Sequence, residues 1–155
     1  MSEQMQKTMD KFLEELRGKA KDYPELMDLF VTCYTNTLDT TVKRMENNTT
    51  HVITGDIPAM WLRDSAAQLR PYIFLAKEDE EIRELIAGLV RRQFMYINID
   101  EYANAFNHSA SGDCWEKDDP NQSHGYGKES LRLTLYAIQF SWHIYYGKCR
   151  LCNTV

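Results

Sequence analysis

The stretch Gly55-Asp-Ile-Pro-Ala-Met-Trp-Leu-Arg-Asp-Ser65 concentrates side chains that could do chemistry together. A Gly-Asp turn leads through Pro58 to the start of a helix. There an indole (Trp61), a guanidinium (Arg63) and a carboxylate (Asp64) stand almost side by side, with Asp56 just upstream. An indole face can stack on the C–H face of a pyranose, while Arg and Asp hydrogen-bond vicinal hydroxyls. The plainer interpretation is a buried Trp with an Arg–Asp pair at a helix start. A second patch, Tyr102-Ala-Asn-Ala-Phe-Asn107, sets two amides, Asn104 and Asn107, around an aromatic ring. Amides both donate to and accept from hydroxyls, although by itself the patch reads as turn-forming Asn.

Other clusters carry less. Cys149 and Cys152 have C-x-x-C spacing, but zinc needs more ligands. The nearest companion, His143, falls in an apolar helical pattern, and no βαβ context suggests a redox motif. His108, Asp113, Cys114 and His124 are spread through a polar loop at spacings that match no metal site. The expectation is no metal and no cofactor. Asn47, Asn48, Asn107 and Asn121 each begin an N-x-S/T pattern, which matters only in a secreted chain.

The elements that must position these residues read as mostly helical. Met5, Met9, Phe12, Leu13, Leu16 and Ala20 recur at spacings of three and four, which predicts a first amphipathic helix. Pro24 predicts the first turn of a second, capped by Asp22, burying Leu26, Leu29, Phe30, Cys33 and Val42 and ending near Met45. A polar loop follows at 46–50, then a short extended piece at His51–Thr54 and a turn at Gly55–Pro58. Helical spacing returns from Trp61 to Ala76, bent or ended at Pro71. A third clear helix spans about Asp79–Tyr96 with the stripe Ile82, Leu85, Ile86, Leu89, Val90 and Phe94. Its Glu80, Glu81 and Glu84 lie early and Arg91 and Arg92 late, as the helix dipole favours. A long polar loop at 98–123 and a last helix at Lys128–Tyr146 complete the pattern.

Composition bounds the partners. The chain has 155 residues, 43% hydrophobic and 26% charged, with 18 basic against 23 acidic residues and a net charge of −5. That balance offers no field for a phosphate backbone, so no nucleic acid is expected. No stretch approaches the roughly 18 apolar residues of a membrane span. The N-terminal residues lack the apolar run of a signal peptide. A cytoplasmic location with reduced cysteines is expected.

At Thr54-Gly-Asp-Ile-Pro-Ala-Met-Trp-Leu-Arg-Asp-Ser-Ala-Ala-Gln-Leu-Arg-Pro-Tyr72 and Asp100-Glu-Tyr-Ala-Asn-Ala-Phe-Asn107 the sequence resembles glycoside hydrolase family 125, the metal-independent exo-α-1,6-mannosidases. The similarity runs over about residues 5–124. It implies an all-α fold, the N-terminal part of an (α/α)6 barrel that this chain leaves incomplete. It also implies inverting hydrolysis of terminal α-mannose from N-glycan-type oligosaccharides, with a mannose-containing oligosaccharide as partner. On the matching positions it implies that Asp56, Trp61, Arg63, Asp64, Asn104 and Asn107 line the terminal-sugar subsite. The family's acid and base match no position here, so no catalytic residue is assigned.

Beyond His124 the sequence departs from the family, which continues approximately Trp-Val-Trp-Glu-Arg-Lys-Tyr-Glu-Ile-Asp-Ser-Leu-Cys. A permitted set of codons for Gly125–Ile138, started at the third base, spells Val-Trp-Glu-Arg-Lys-Phe-Glu-Ile-Asp-Ser-Leu-Cys-His. Frameshifts are therefore expected over 125–137 and, on a shorter match, over about 148–155. The gene's nucleotides are predicted to encode the family motif in an alternative frame across Gly125–Ala137. Nucleotides lacking it in both other frames end the idea.

An (α/α)6 barrel has twelve helices and needs on the order of 200 residues, so one partial glycosidase domain over 1–155 is expected. It would hold about four or five of the helices, expose apolar helix faces at its unclosed edges, and be inactive alone. The alternative is a non-catalytic α-helical carbohydrate-binding or structural module.

Overall fold

The computed structural model describes residues 1–101 and 103–109. The expectations for Tyr102, Asp113, Cys114, His124 and His143, for the helix at 128–146, for Cys149 and Cys152, and for segments 125–137 and 148–155 lie outside those residues.

The described residues are mostly helical. Helix α1 (Glu3–Lys19) starts at Ser2, whose hydroxyl accepts from the Met5 N–H at 3.2 Å. It buries Met5, Met9 and Leu13, with Phe12, Leu16 and Ala20 packed against the same core, as the spacing predicts. Helix α2 (Pro24–Thr40) has Pro24 in its first turn, but Tyr23 is the cap residue and makes no side-chain capping bond. Asp22 is therefore not the cap, and the helix ends before Met45.

The expected burial of α2 is also corrected. Met27, Tyr34 and Leu38 face the core, whereas Leu26 (63% exposed), Leu29 (61%), Phe30 and Cys33 face outward. This helix is apolar on two sides, and its neighbours decide which side is buried: Tyr34 packs against Tyr72, ring centroids 4.5 Å apart and the rings tilted by 38°. The Tyr34 hydroxyl also donates to the Pro71 carbonyl at 3.2 Å, and the Tyr72 hydroxyl to the Tyr34 carbonyl.

Two short ribbons interrupt the helices. Strands β1 (Val42–Arg44) and β2 (Thr50–Val52) pair antiparallel, with Lys43 opposite His51. Thr49 and Thr50 are buried, so the expected polar loop closes instead into a hairpin. Gly55 has φ +120°, a conformation that favours glycine, and opens the predicted turn. Strand β3 (Met60–Trp61) feeds directly into α3 (Leu62–Leu69), which gives way to single 3-10 turns at Arg70–Tyr72 and Leu75–Lys77. Pro71 lies in the first of these, where its missing N–H and fixed ring stop the α-helix.

Helix α4 (Glu80–Ile99) is the central support. Ile82, Leu85, Ile86 and Leu89 are buried as predicted, and Val90 packs against the core. Phe94 is corrected: it is 43% exposed. Arg92, Gln93 and Tyr96 continue the buried stripe in its place, so Arg92 is a buried group and not only a charge near the C-terminus. Strand β4 (Ala105–Phe106) follows and returns to β3.

Asp79 joins two of these helices. Its Oδ1 accepts from the N–H groups of Glu81 (2.9 Å) and Ile82 (3.1 Å), and its Oδ2 from the Thr8 hydroxyl of α1 (2.8 Å). Because Asp79 is 1% exposed, Asp79→Ala strands the two backbone donors, while the Thr8 hydroxyl keeps the Gln4 carbonyl as an acceptor. A loss of about 1 kcal/mol or more in unfolding free energy is expected, as for other N-caps. Chemical denaturation checks this, with an unchanged midpoint as the contrary result.

Candidate functional site

The site is assembled by the pairing of β3 with β4. The register sets Met60 opposite Phe106 and Trp61 opposite Ala105. The ribbon is extended by the Leu62 N–H, which donates to the Asn104 carbonyl at 3.1 Å. The Gly55–Ser65 motif and the Asn104–Asn107 motif, far apart in sequence, thus become one surface. Successive residues of a strand point to opposite faces. Met60 is fully buried and Phe106 stacks on Tyr96, ring centroids 4.4 Å apart, while Trp61 is half-buried.

Arg63 and Asp64 sit in the first turn of α3. The Arg63 Nε and Nη2 groups both donate to Asp64 Oδ1, each at 3.2 Å. Arg63 is exposed and Asp64 half-buried. An ion pair so open to water holds itself together weakly, so both groups remain available to an incoming hydroxyl. Asp64 is also favoured by its place in the first turn of a helix. Asp56 is exposed at the turn, 3.3 Å from the Thr54 hydroxyl.

Beneath this surface lies a layer of amides. Gln93 Nε2 donates to the Leu62 carbonyl (3.0 Å) and to the Ser65 hydroxyl oxygen (3.1 Å), fixing the start of α3. Among the described residues, buried oxygens without a hydrogen-bond donor include Asn104 Oδ1, Gln68 Oε1 and Gln93 Oε1. Buried acceptors are ordinarily satisfied by protein or water. Asn104 is tied to the β3–α3 junction by its backbone carbonyl, which accepts from the Leu62 N–H. Asn107 is placed by its own carbonyl, which accepts from the Tyr96 hydroxyl at 2.9 Å.

His51, from the β2 hairpin, reaches the same place from below. It is 2% exposed, with Nδ1 3.1 Å from the Tyr96 hydroxyl and Nε2 3.3 Å from the Pro58 carbonyl. Burial lowers its pKa most, and the cationic Arg92 and Lys43 and the His108 ring lower it further; the Pro58 carbonyl opposes this. Arg92 lies 5.2 Å from the Tyr96 ring centroid. Burial raises the Tyr96 pKa, so its hydroxyl keeps its proton through the neutral range.

The structure therefore brings Trp61 and Asn104 to one ribbon, sets Arg63 and Asp64 at its helical end, and links Asp56 and Asn107 to it through flanking turns. His51, Gln93, Ser65 and Tyr96 were not singled out as site residues from sequence. Gln93 and Tyr96 carried a signal in their spacing, since they continue the apolar stripe four and seven positions beyond Leu89. His51 carried none. Among the described residues no three His, Cys, Asp or Glu side chains converge as a metal site would require, and no helix is long and apolar enough to cross a membrane.

Comparison with known proteins supplies relatives. Residues 23–138 match the family model described as metal-independent alpha-mannosidase, GH125. A Schizosaccharomyces pombe protein, the meiotically up-regulated gene 157 protein, is 42% identical over 104 residues, which is 64% of this chain and 20% of that protein. A solved Streptococcus pneumoniae structure, from a family of metal-independent alpha mannosidases, superposes with TM-score 0.77 at 40% identity. It was captured as a non-productive substrate complex with α-1,6-mannobiose. The match covers 90% of this chain and 33% of that one. The chain thus spans a fifth to a third of the length of these relatives.

Proposed function

The chain belongs to glycoside hydrolase family 125, the metal-independent α-mannosidases, and from that premise we propose that it carries the terminal-mannose subsite of an inverting exo-α-1,6-mannosidase. Its mostly helical fold is that of part of the family's (α/α)6 barrel. In this reading Trp61 stacks on the mannose ring. Arg63, Asp64 and Asp56 hydrogen-bond its hydroxyls, and Asn104 and Asn107 complete the cradle from either end of β4. The observation that supports the proposal is the β3–β4 pairing, which sets the two motifs side by side.

Inversion requires a carboxylic acid to protonate the leaving oxygen and a carboxylate to activate water, set roughly 6.5–9.5 Å apart. The matched positions supply neither role, so the chain is proposed to bind mannosides without cleaving them; removal of both groups abolishes acid–base catalysis. The substrate class is the terminal α-mannose of N-glycan-type oligosaccharides, met in the cytoplasm. One partial glycosidase domain over 1–155 is part of the same proposal.

The test pairs calorimetry against α-1,6-mannobiose with an assay for released mannose. Saturable heat without mannose release is expected. Mannose release by the chain overturns the assignment of acid and base elsewhere, and absence of binding by a folded chain overturns the subsite.

A further inference from the structure

Proton counting around His51 shows a conflict. Three links run in series: Pro58 carbonyl to His51 Nε2, His51 Nδ1 to the Tyr96 oxygen, and the Tyr96 hydroxyl to the Asn107 carbonyl. Both ends are carbonyls, which only accept. Three links need three protons. A phenol supplies one and a neutral imidazole supplies one, so the neutral chain always lacks one bond. An imidazolium supplies two, and only then does every link carry a proton.

The ends of this chain belong to the two halves of the sugar surface. Pro58 closes the Gly55–Pro58 turn that holds Asp56, and Asn107 ends the β4 motif. We infer that His51 is a positioning residue that couples the two halves of the site, and that the coupling is complete only when its ring holds two protons. The charged and titratable groups acting on the ring are Arg92 from α4, Lys43 from β1 and His108 after β4. His108 lies edge-on with its centroid 6.2 Å away. Tyr96 is the remaining titratable neighbour, and it stays protonated. Burial, with Arg92 and Lys43, opposes uptake of the second proton more than the Pro58 carbonyl favours it, so the ring is neutral at neutral pH with one link open. Acidification closes that link.

The inference about affinity rests on the sugar-site reading; the proton chain itself does not. The test uses the full chain carrying His108→Gln, so that the second ring cannot contribute. Ring-nitrogen shifts of His51 and backbone amide shifts of Gly55, Asp56 and Asn107 are followed by NMR from about pH 8 to about pH 5, across the imidazole range. One protonated ring nitrogen is expected at high pH and two at low pH. The midpoint should fall below the ordinary value of about 6.5, and amides on both sides should share it. In Tyr96→Phe the Asn107 amide should stop following the ring while Gly55 and Asp56 continue. In His51→Gln neither segment should titrate.

Different midpoints on the two sides, or an Asn107 amide that still follows the ring in Tyr96→Phe, overturn the coupling. Calorimetry adds the functional arm. Affinity for α-1,6-mannobiose should rise about three- to tenfold as the ring takes its second proton, the worth of one hydrogen bond, and stay flat in His51→Gln. Unchanged affinity while the ring titrates overturns the positioning role. Coupled amides with no sugar binding at any pH support the proton chain and overturn the sugar reading instead.

Discussion

Arg63→Ala is expected to weaken binding of α-1,6-mannobiose by roughly tenfold to a hundredfold, the worth of one or more charge-assisted hydrogen bonds at about 1.5–3 kcal/mol. The same substitution should change unfolding free energy by less than about 0.5 kcal/mol, because its pair with Asp64 is open to water and such pairs add little. That contrast separates the sugar-site reading from the structural one. If Arg63 merely braced the start of α3, stability would fall and affinity would not move. Parallel calorimetry and denaturation of one variant make the comparison, and a stability loss without an affinity loss would overturn the assignment.

Gly88→Ala should have the largest effect on stability. On an exposed helix the change would gain about 1 kcal/mol from helix propensity. At Gly88 a Cβ would stand 2.5 Å from the Thr50 hydroxyl oxygen, 3.1 Å from the Thr50 nitrogen and 3.2 Å from the Thr49 carbonyl carbon. Two of those atoms are backbone and cannot swing away. Overpacking of this kind costs typically 1–3 kcal/mol, and here the hairpin itself must shift. We expect the clash to outweigh the propensity gain, with a net loss of up to about 2 kcal/mol read from denaturant midpoints. Because β2 also carries His51, the displaced hairpin should weaken mannobiose binding as well. A more stable variant would mean that α4 and the hairpin do not pack as described.

Acid should act on the fold and the site in opposite directions. His51 has its pKa lowered in the folded state, chiefly by burial. Its contribution to stability is therefore fully present above the ordinary imidazole value of about 6.5 and is lost as pH falls through the lower folded value. The protonation that completes the link between Pro58 and Asn107 is the same event that burial opposes.

Much of the helical frame could be read from residue order, because α1 and α4 each present one dominant apolar stripe. Helix α2 could not. Leu26, Leu29 and Phe30 form as good a stripe as Met27, Tyr34 and Leu38, and neighbours reached through the tertiary fold, Phe12, Tyr72 and Pro71, select the buried side. The strands are two or three residues long, too short to display a period of two. The β3–β4 pairing joins segments separated by the whole of α4, so no local pattern contains it. Motif residues were legible by type at Trp61, Arg63 and Asp64. The layer that positions them was not: Gln93 and Tyr96 are polar positions on an apolar stripe, and His51 is a lone histidine whose role exists only in contact with Pro58 and Tyr96.

The central claim is that the paired motifs form a mannose surface, and the most direct measurement is NMR shift mapping during titration with α-1,6-mannobiose. Saturable shifts of the Trp61 indole, the Asn104 side-chain amide and the Arg63 Nε–H are expected, with the outer face of α2 unmoved. No shifts at these groups in a folded chain, or shifts centred on Leu26 and Leu29, would contradict it.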